Sequence, residues 1–305
     1  MADQNTELLD PVTVRALERL TLVSLDAVIA GVAGAPTSEM RGFALEFADY
    51  RAYTPGDDLR RLDWHVYLRL REARVKVGPH EGHLELDLLI DTSRSMDWRA
   101  AGVADPRPTK LRHGQRVAAA LGAVALLRAD AVRTWTLHDG GAEAGARLHA
   151  PRMLARLERE LSRVAPGHRT ELPESVRSYR NAGADADLAV MISDALVPAA
   201  GLKEALYELG SAARASALVH VFDPAEAAPV PRGTVVLRDR ETGRRLQLSL
   251  TESVAAAYGQ RFERFRHAVE EACAAAGVRY LPAPTDISVL DLLSSTARLA
   301  GLVAA

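Results

Sequence analysis

Oxygen-bearing side chains alternate in one short stretch of the sequence, and their spacing could hold a metal ion. Asp91, Ser93 and Ser95 come at the end of, and directly after, the mostly apolar run LELDLLID. Alternate residues of a turning loop can direct one anionic and two neutral oxygens towards a common centre. Oxygen-only ligands suit a hard cation, so we expect Mg²⁺ before Mn²⁺ or Ca²⁺ and no metal that prefers thiolates.

Two later residues supply further oxygens of the kind that a six-coordinate ion needs. Thr170 lies in a polar loop between two predicted helices, and Asp194 directly follows the apolar run LAVMIS. With Asp91, Ser93 and Ser95 they would form an octahedral site that has room for water or for an oxygen of a partner. A metal held mainly by neutral hydroxyls, with no obvious base beside it, activates water poorly. Such a site is better suited to capturing a carboxylate.

The elements that would position these residues alternate between strand and helix. Apolar runs of strand length lead into Asp91 and Asp194, and stretches of helical length and composition separate them. This alternation predicts an α/β fold with a doubly wound, mostly parallel sheet over residues 84–305. Ligands of such sheets bind beyond the carboxyl ends of the strands, where both aspartates are expected. Period-two alternation near residues 234–250 instead predicts a hairpin insertion.

The first 83 residues are predicted to form a separate region. Residues 8–30 have the pattern of an amphipathic helix packed on the body of the protein. Residues 36–83 combine turn residues with a short alternating stretch, which is typical of an irregular, β-containing appendage. We therefore predict an N-terminal helix and appendage over residues 1–83, followed by the doubly wound domain over residues 84–305.

Composition and charge exclude several classes of function. The chain has 305 residues with 38 basic and 40 acidic side chains, so its net charge of −2 creates no field that would recruit nucleic acid. The single cysteine, Cys273, rules out an internal disulfide and fits a reducing compartment. No secretory signal is recognisable, and no apolar stretch is long enough to span a bilayer. We therefore expect a cytoplasmic protein without a transmembrane segment.

The candidate ligands resemble a known metal centre. An Asp-x-Ser-x-Ser stretch, a distant Thr and an Asp at the end of a strand resemble the metal-ion-dependent adhesion site of von Willebrand factor A domains. Carried over position by position, the resemblance implies a first element of Asp91, Ser93 and Ser95, a second of Thr170 and a third of Asp194. It also implies a von Willebrand factor A or Rossmann-like fold and a non-enzymatic, metal-dependent role in protein binding.

A second resemblance extends over nearly the whole chain. The stretch EFADYRAYTPGDDLRRLDW at residues 46–64 looks like the signature of the bacterial family called domain of unknown function 58, and so do FDPAE at 222–226 and DRETG at 239–243. Members of that family carry an A-type domain and are usually encoded beside MoxR-type AAA+ ATPases. The resemblance implies that a MoxR-type AAA+ ATPase or a client protein binds here through an acidic residue. The chain would then be an adaptor in remodelling or maturing client proteins.

Two other functions stay open at this point. The sequence has no Gly-x-x-x-x-Gly-Lys phosphate loop, no Gly-x-Gly-x-x-Gly stretch after a strand and no Gly-x-Ser-x-Gly nucleophile elbow, which favours a protein that is not an enzyme. The same loops could nevertheless serve a Mg²⁺-dependent phosphoester hydrolase, in which turnover would depend on Asp91. The third possibility is a scaffold that keeps the fold without binding a metal.

Overall fold

The computed structural model describes residues 7–22, 49–52, 74–77, 83–99, 107–167, 170–182, 186–229, 233–238, 243–298 and 300–304. The chain divides into two compact units, one formed by Ala35–His83 and the other by Met1–Gly34 with Leu84–Ala305. All candidate ligands belong to the larger unit. Within the described ranges, no helix is both long and apolar enough to cross a membrane.

The order of elements follows the predicted alternation over most of the larger unit. The strands are β1 (Thr21–Leu22), β2 (Asp49–Ala52), β3 (Arg74–Val77), β4 (Glu85–Asp91), β5 (Ala131–His138), β6 (Gly141–Leu148), β7 (Ala186–Ser193), β8 (Ala213–Phe222), β9 (Gly233–Arg238), β10 (Arg245–Leu250), β11 (Arg279–Pro284) and β12 (Val303–Ala304). The α-helices are α1 (Pro11–Leu17), α2 (Lys110–Leu127), α3 (Leu154–Arg163), α4 (Leu172–Asn181), α5 (Ala199–Gly210), α6 (Pro224–Ala227), α7 (Glu252–Ala275) and α8 (Val289–Asp291). Short 3₁₀ turns lie at Arg94–Asp97 and Pro151–Met153, and a π-helical turn at Leu292–Ala297.

Six strands of the larger unit form one sheet in the order β11-β8-β7-β4-β5-β6. All neighbours in this sheet are parallel except β6, which pairs antiparallel with β5 at the edge. Numbered along the chain within the sheet, the strands follow the 3-2-1-4-5-6 order of doubly wound folds, with β4 and β7 at the switch point. The predicted α/β fold with a doubly wound, mostly parallel sheet is confirmed.

The central strand β4 is buried on both of its faces. Leu88 and Ile90 pack in one apolar cluster that includes residues of α2 and α3, whereas Leu89 packs in a second cluster with residues of α4, α5 and α7. Successive side chains of a strand point to opposite faces, so a strand covered on both sides reads as a continuous apolar run. The last residue of β4, Asp91, is therefore held on a rigid part of the fold.

Small residues allow α2 to lie close to the sheet. A Cβ on Gly114 would be 2.9 Å from Ile192 Cγ2 of β7, and a Cβ on Gly122 would collide with the Leu157 side chain of α3. Most residues of α2 are consequently buried, including its first residue, Lys110. The close packing of this helix brings a lysine side chain beneath the surface.

The N-terminal helix is shorter than the sequence predicts. A helix over residues 8–30 was expected, but α1 ends at Leu17, and β1 pairs antiparallel with β12 in a separate two-stranded sheet. Residues 23–30 of the predicted helix lie outside the described residues. The apolar side chains of this segment are buried on both sides of the helix end, at Leu17, Leu20 and Leu22. The apolar residues of this segment are spaced as in a helix, and this spacing continues into strand β1. The spacing alone therefore does not show where the helix ends.

Two further strand pairs lie in the regions where β structure is predicted outside the main sheet. β9 and β10 pair antiparallel, with Arg245 opposite Arg238 and Leu250 opposite Gly233. In the smaller unit, β2 pairs antiparallel with β3. Most of the signature at residues 46–64 lies outside the described residues, and so do residues 239–242.

Candidate metal site at the carboxyl ends of β4 and β7

Asp91 ends β4 at the switch point of the sheet, which is where ligands of doubly wound folds bind. Its side chain is buried, with only 2% exposed. Ser193 Oγ donates a hydrogen bond of 2.6 Å to Asp91 Oδ2, and the backbone N–H of Ser93 donates one of 2.8 Å to Oδ1. Both carboxylate oxygens are therefore held in a fixed orientation.

The two serine hydroxyls of the following loop lie together. Ser93 Oγ and Ser95 Oγ are 3.0 Å apart, and the Ser95 hydroxyl is near enough to Asp194 to lower the pKa of its carboxyl. The 3₁₀ turn Arg94–Asp97 begins immediately after Ser93, and the backbone N–H of Met96 donates a hydrogen bond of 3.0 Å to the carbonyl oxygen of Ser93. The structure therefore brings Asp91, Ser93, Ser95 and Asp194 close together.

Thr170 belongs to a loop that touches the first loop. The backbone N–H of Gly167 donates a hydrogen bond of 2.6 Å to the carbonyl oxygen of Thr92, and a Cβ on Gly167 would lie 3.3 Å from that oxygen. Thr170 follows three residues later and is buried, yet its hydroxyl has no hydrogen-bond partner among the residues that the structure describes, the other four candidate ligands included. An unpartnered buried hydroxyl is costly, and a cation bound between the two loops would satisfy it.

The carboxylate of Asp194 is held by a lysine. Lys110 Nζ donates a hydrogen bond of 2.8 Å to Asp194 Oδ2, and the backbone N–H of Leu196 donates one of 3.2 Å to Oδ1. The same ammonium donates a hydrogen bond of 2.8 Å to Glu226 Oε1. Burial would lower the pKa of Lys110, but the charges of these two carboxylates outweigh burial and raise it. The buried ammonium therefore stays charged.

Sequence reasoning placed neither Lys110 nor Glu226 in the site. Lys110 was only the start of a helix with a charged first turn, whereas Glu226 belongs to the stretch FDPAE that resembles the family. In the structure Glu226 closes a capping box, in which its Oε2 accepts a hydrogen bond of 3.0 Å from the backbone N–H of Asp223. The buried Asp223 also accepts a hydrogen bond of 3.0 Å from Thr285 Oγ1. The resemblance at residues 222–226 was the one signal that could have drawn attention to Glu226.

The two aspartates of the site differ in their affinity for protons. Burial, together with the negative charge of Asp194, raises the pKa of Asp91 to about 6. Burial acts in the same direction on Asp194, but the charge and hydrogen bond of Lys110 and the Ser95 hydroxyl outweigh it and hold the pKa of Asp194 below its usual value. At neutral pH Asp91 and Asp194 are therefore both ionised, and the Lys110 ammonium pairs with Asp194 and with Glu226. The cluster carries an excess of negative charge that a cation would neutralise.

His220 of β8 supports the backbone of Asp194. His220 Nε2 lies 3.1 Å from the carbonyl oxygen of Asp194, and Nδ1 lies 2.9 Å from the hydroxyl oxygen of Tyr280. A carbonyl oxygen can only accept, so Nε2 carries the proton and Nδ1 accepts from Tyr280. Burial lowers the pKa of His220 to about 4, which keeps the ring neutral. Both ring nitrogens are engaged, so His220 positions Asp194 rather than transferring protons.

The donor set fits a hard cation better than a soft one. Among the residues that the structure describes, no three His, Cys, Asp or Glu side chains form a group that could hold a metal. A cation at the switch point would therefore depend on the carboxylates of Asp91 and Asp194 and on several hydroxyls, which are ligands that Mg²⁺ accepts. The unpartnered hydroxyl of Thr170 agrees with this donor set, because such an ion would satisfy it.

Comparison with known proteins identifies the family. The profile of a family described as "Protein of unknown function DUF58" matches residues 49–268, which is well over half of the chain. The chain belongs to the DUF58 family. This DUF58 protein is also 28% identical over 241 residues to uncharacterized protein Rv1480 of Mycobacterium tuberculosis and to uncharacterized protein Mb1516 of Mycobacterium bovis. Each alignment covers 77% of this chain and 73% of the relative.

Solved structures with similar architecture include two with low sequence identity to this DUF58 protein. The conserved hypothetical protein BatB from Bacteroides thetaiotaomicron is 17% identical, with a TM-score of 0.44 over 72% of this chain and 98% of that one. The SpRpn10 VWA domain is 11% identical, with a TM-score of 0.41 over 71% of this chain and 97% of that one. Neither TM-score reaches 0.5, so the fold assignment rests on the order and direction of the strands.

Proposed function

We propose that this DUF58 protein is a non-enzymatic adaptor that captures an acidic side chain of another protein at a metal-ion-dependent adhesion site. The observation that carries the proposal is the buried, unpartnered hydroxyl of Thr170, in a loop that is hydrogen-bonded to the loop after Asp91. The residues that would hold the cation, Mg²⁺ before Mn²⁺ or Ca²⁺, are Asp91, Ser93, Ser95, Thr170 and Asp194.

The charges of the site favour an anionic partner group. Among the described residues no cationic side chain pairs with Asp91, whereas Asp194 is paired with Lys110. A divalent cation held by Asp91, by Asp194 with its charge partly offset by Lys110, and by neutral hydroxyls keeps net positive charge, and so supplies a coordination position that attracts a carboxylate. In a partly desolvated cleft such an interaction is stronger than in water.

The same contacts give less support to a phosphoester hydrolase. Both oxygens of Asp91 accept hydrogen bonds within the chain, and Asp194 is paired with Lys110. His220 uses both ring nitrogens in hydrogen bonds. A hydrolase needs a base within reach of the attacking water, and each of these three groups is already committed to another contact.

The resemblance to the family supplies the partner and the setting of this proposal. The partner is a MoxR-type AAA+ ATPase or a client protein that offers an acidic residue, and the adaptor acts in the cytoplasm during client remodelling or maturation. The carboxyl-end edge of the sheet is the surface that the partner contacts. The metal-free scaffold is the second candidate, and it predicts that chelators change neither stability nor binding.

Pull-down with a purified MoxR-type ATPase, and in parallel from cell lysate, tests the proposal. Wild-type protein retains the partner in Mg²⁺ and loses it in EDTA, and Asp91→Ala loses it in both. The matched control is Asp139→Ala, which changes an exposed aspartate in the turn between β5 and β6 and retains the partner in Mg²⁺. Binding that ignores both EDTA and Asp91→Ala overturns the proposal, and Asp91-dependent turnover of phosphoesters establishes the hydrolase instead.

A further inference from the structure

Lys110 is a buried cation whose position helix formation does not explain. It is the first residue of α2, where Thr109 caps the helix by accepting a hydrogen bond from the backbone N–H of Arg112. A positive charge at the N-terminus of a helix opposes the helix dipole, and burying an ammonium is costly unless it is paired. Lys110 is nevertheless 0% exposed, with its Nζ 5.9 Å from the centre of the Trp98 ring. Ion pairs with Asp194 and Glu226 offset the cost of its burial, so contacts with the candidate site, and not with the helix, explain its position.

We propose that Lys110 sets the specificity of the site, by withholding Asp194 Oδ2 from a bound cation so that the cation needs a carboxylate from a partner. This inference rests on the proposed function and names the residue that makes the site dependent on its partner. The supporting contact is the ion pair of 2.8 Å between Lys110 Nζ and Asp194 Oδ2. The other oxygen, Oδ1, accepts a hydrogen bond of 3.2 Å from the backbone N–H of Leu196.

Charge balance shows what Lys110 changes. Without the ammonium, Asp91 and Asp194 together would neutralise a divalent cation inside the chain, and no outside anion would be needed. With it, Asp194 Oδ2 is occupied and part of the negative charge of Asp194 is offset, since the ammonium is shared with Glu226. A bound cation therefore receives less than two full carboxylates from Asp91 and Asp194. An acidic side chain of a partner makes up that deficit. Lys110 thus lowers the affinity for the cation alone and raises the dependence on the partner.

Glu226 moderates this effect because it shares the ammonium. Lys110 Nζ is 2.8 Å from Glu226 Oε1 and equally close to Asp194 Oδ2, so its charge is divided between two carboxylates. Removing the charge of Glu226 leaves the ammonium wholly to Asp194. Removing the charge of Lys110 and removing the charge of Glu226 are therefore expected to change the affinity for the cation in opposite directions.

Calorimetric titration of Mg²⁺ alone into the full chain tests the assignment. Lys110→Met releases Asp194 and tightens Mg²⁺ binding about tenfold, which corresponds to about 1.4 kcal/mol. Glu226→Gln weakens Mg²⁺ binding about threefold or more, since it leaves the ammonium to Asp194 alone. The control Lys203→Met removes an exposed lysine of α5 and leaves the affinity unchanged.

A second variant covers the case in which Lys110→Met does not fold because Asp194 and Glu226 then face each other. Lys110→Met/Glu226→Gln removes one of those charges, and it binds Mg²⁺ more tightly than Glu226→Gln alone. Equal or weaker binding in both comparisons overturns the role of Lys110, while wild-type binding lost in Asp91→Ala keeps the proposed function. Binding of Mg²⁺ alone by the Lys110→Met variants but not by wild type supports the role of Lys110, and the pull-down in Mg²⁺ and in EDTA then decides whether capture of the partner depends on the metal. Binding by none of them overturns both.

Discussion

Replacing Thr170 by valine measures two effects of its hydroxyl: the free-energy cost of burying it and its contribution to Mg²⁺ binding. The hydroxyl is buried and has no hydrogen-bond partner within the described part of the chain, and valine has nearly the same shape. A buried unpartnered polar group costs about 1–3 kcal/mol, so in EDTA the free energy of unfolding of Thr170→Val rises by about 1–2 kcal/mol. For a unit of this size each kcal/mol moves Tm by about 2–4 °C. We expect the metal-free variant to melt about 2–8 °C above the wild type.

Mg²⁺ is expected to stabilise the wild type more than Thr170→Val. At 100 times its Kd a ligand stabilises the protein that binds it by about 2.7 kcal/mol. Loss of one ligand that weakens binding about tenfold removes about 1.4 kcal/mol of that gain. The Mg²⁺-dependent rise in Tm of Thr170→Val is therefore at most about half that of the wild type. Scanning calorimetry of both proteins in EDTA and in Mg²⁺ measures the two effects separately.

A bonded threonine provides the control for this measurement. Thr285 is buried, and its Oγ1 donates a hydrogen bond of 3.0 Å to Asp223 Oδ2. Thr285→Val therefore loses about 1–3 kcal/mol in both buffers and keeps the full Mg²⁺ effect. The reasoning about Thr170 fails if Thr170→Val is destabilised in EDTA, since its hydroxyl would then have a partner. It also fails if the full Mg²⁺ effect persists, since the hydroxyl would not be a ligand.

Three further measurements test the site and the packing around it. In EDTA at pH 7, Asp91→Asn is more stable than wild type by about 2–3 kcal/mol, because the fold raises the pKa of Asp91 to about 6 and so disfavours its ionised form. The stability advantage of Asp91→Asn shrinks as the pH falls through 6 and is lost below about 4. Urea unfolding at several pH values measures it, and a difference in stability that does not change with pH contradicts the prediction. Cys273, whose pKa burial raises to about 12, resists alkylation in the native protein and reacts in urea, as mass spectrometry will record. Gly114→Ala costs about 1–3 kcal/mol in urea unfolding through its collision with Ile192, whereas Gly201→Ala in α5, with 3.5 Å to its nearest neighbour, is close to neutral.

The sequence predicts the fold class and the meeting of most candidate ligands. Apolar runs that end in Asp91 and precede Asp194 predict two buried strands, and parallel strands bring their carboxyl ends to one edge. Neither run says that β4 and β7 are neighbours, because strand order depends on contacts between distant residues. Whether these ligands hold a metal stays a prediction, which the unpartnered hydroxyl of Thr170 supports.

The features that the sequence does not predict depend on tertiary packing. A lysine in the first turn of a helix normally extends into solvent, and Lys110 is buried because glycines such as Gly114 bring α2 close to the sheet. Strand β6 was not predicted, since GAEAGARL has few residues that favour strands. Its pairing with β5 at the edge of the sheet outweighs that weak local preference.

The pairing of β1 with β12 has a consequence for the order in which the molecule is completed. Thr21 pairs with Ala304 and Leu22 with Val303, so the two partners are separated by nearly the whole length of the chain. During synthesis β1 has to wait, without this partner, while every strand of the main sheet is made. Closing so long a loop is slow, because its entropy is lost before the contact stabilises anything. The strand pair β1–β12 is therefore expected to be among the last parts of the molecule to form.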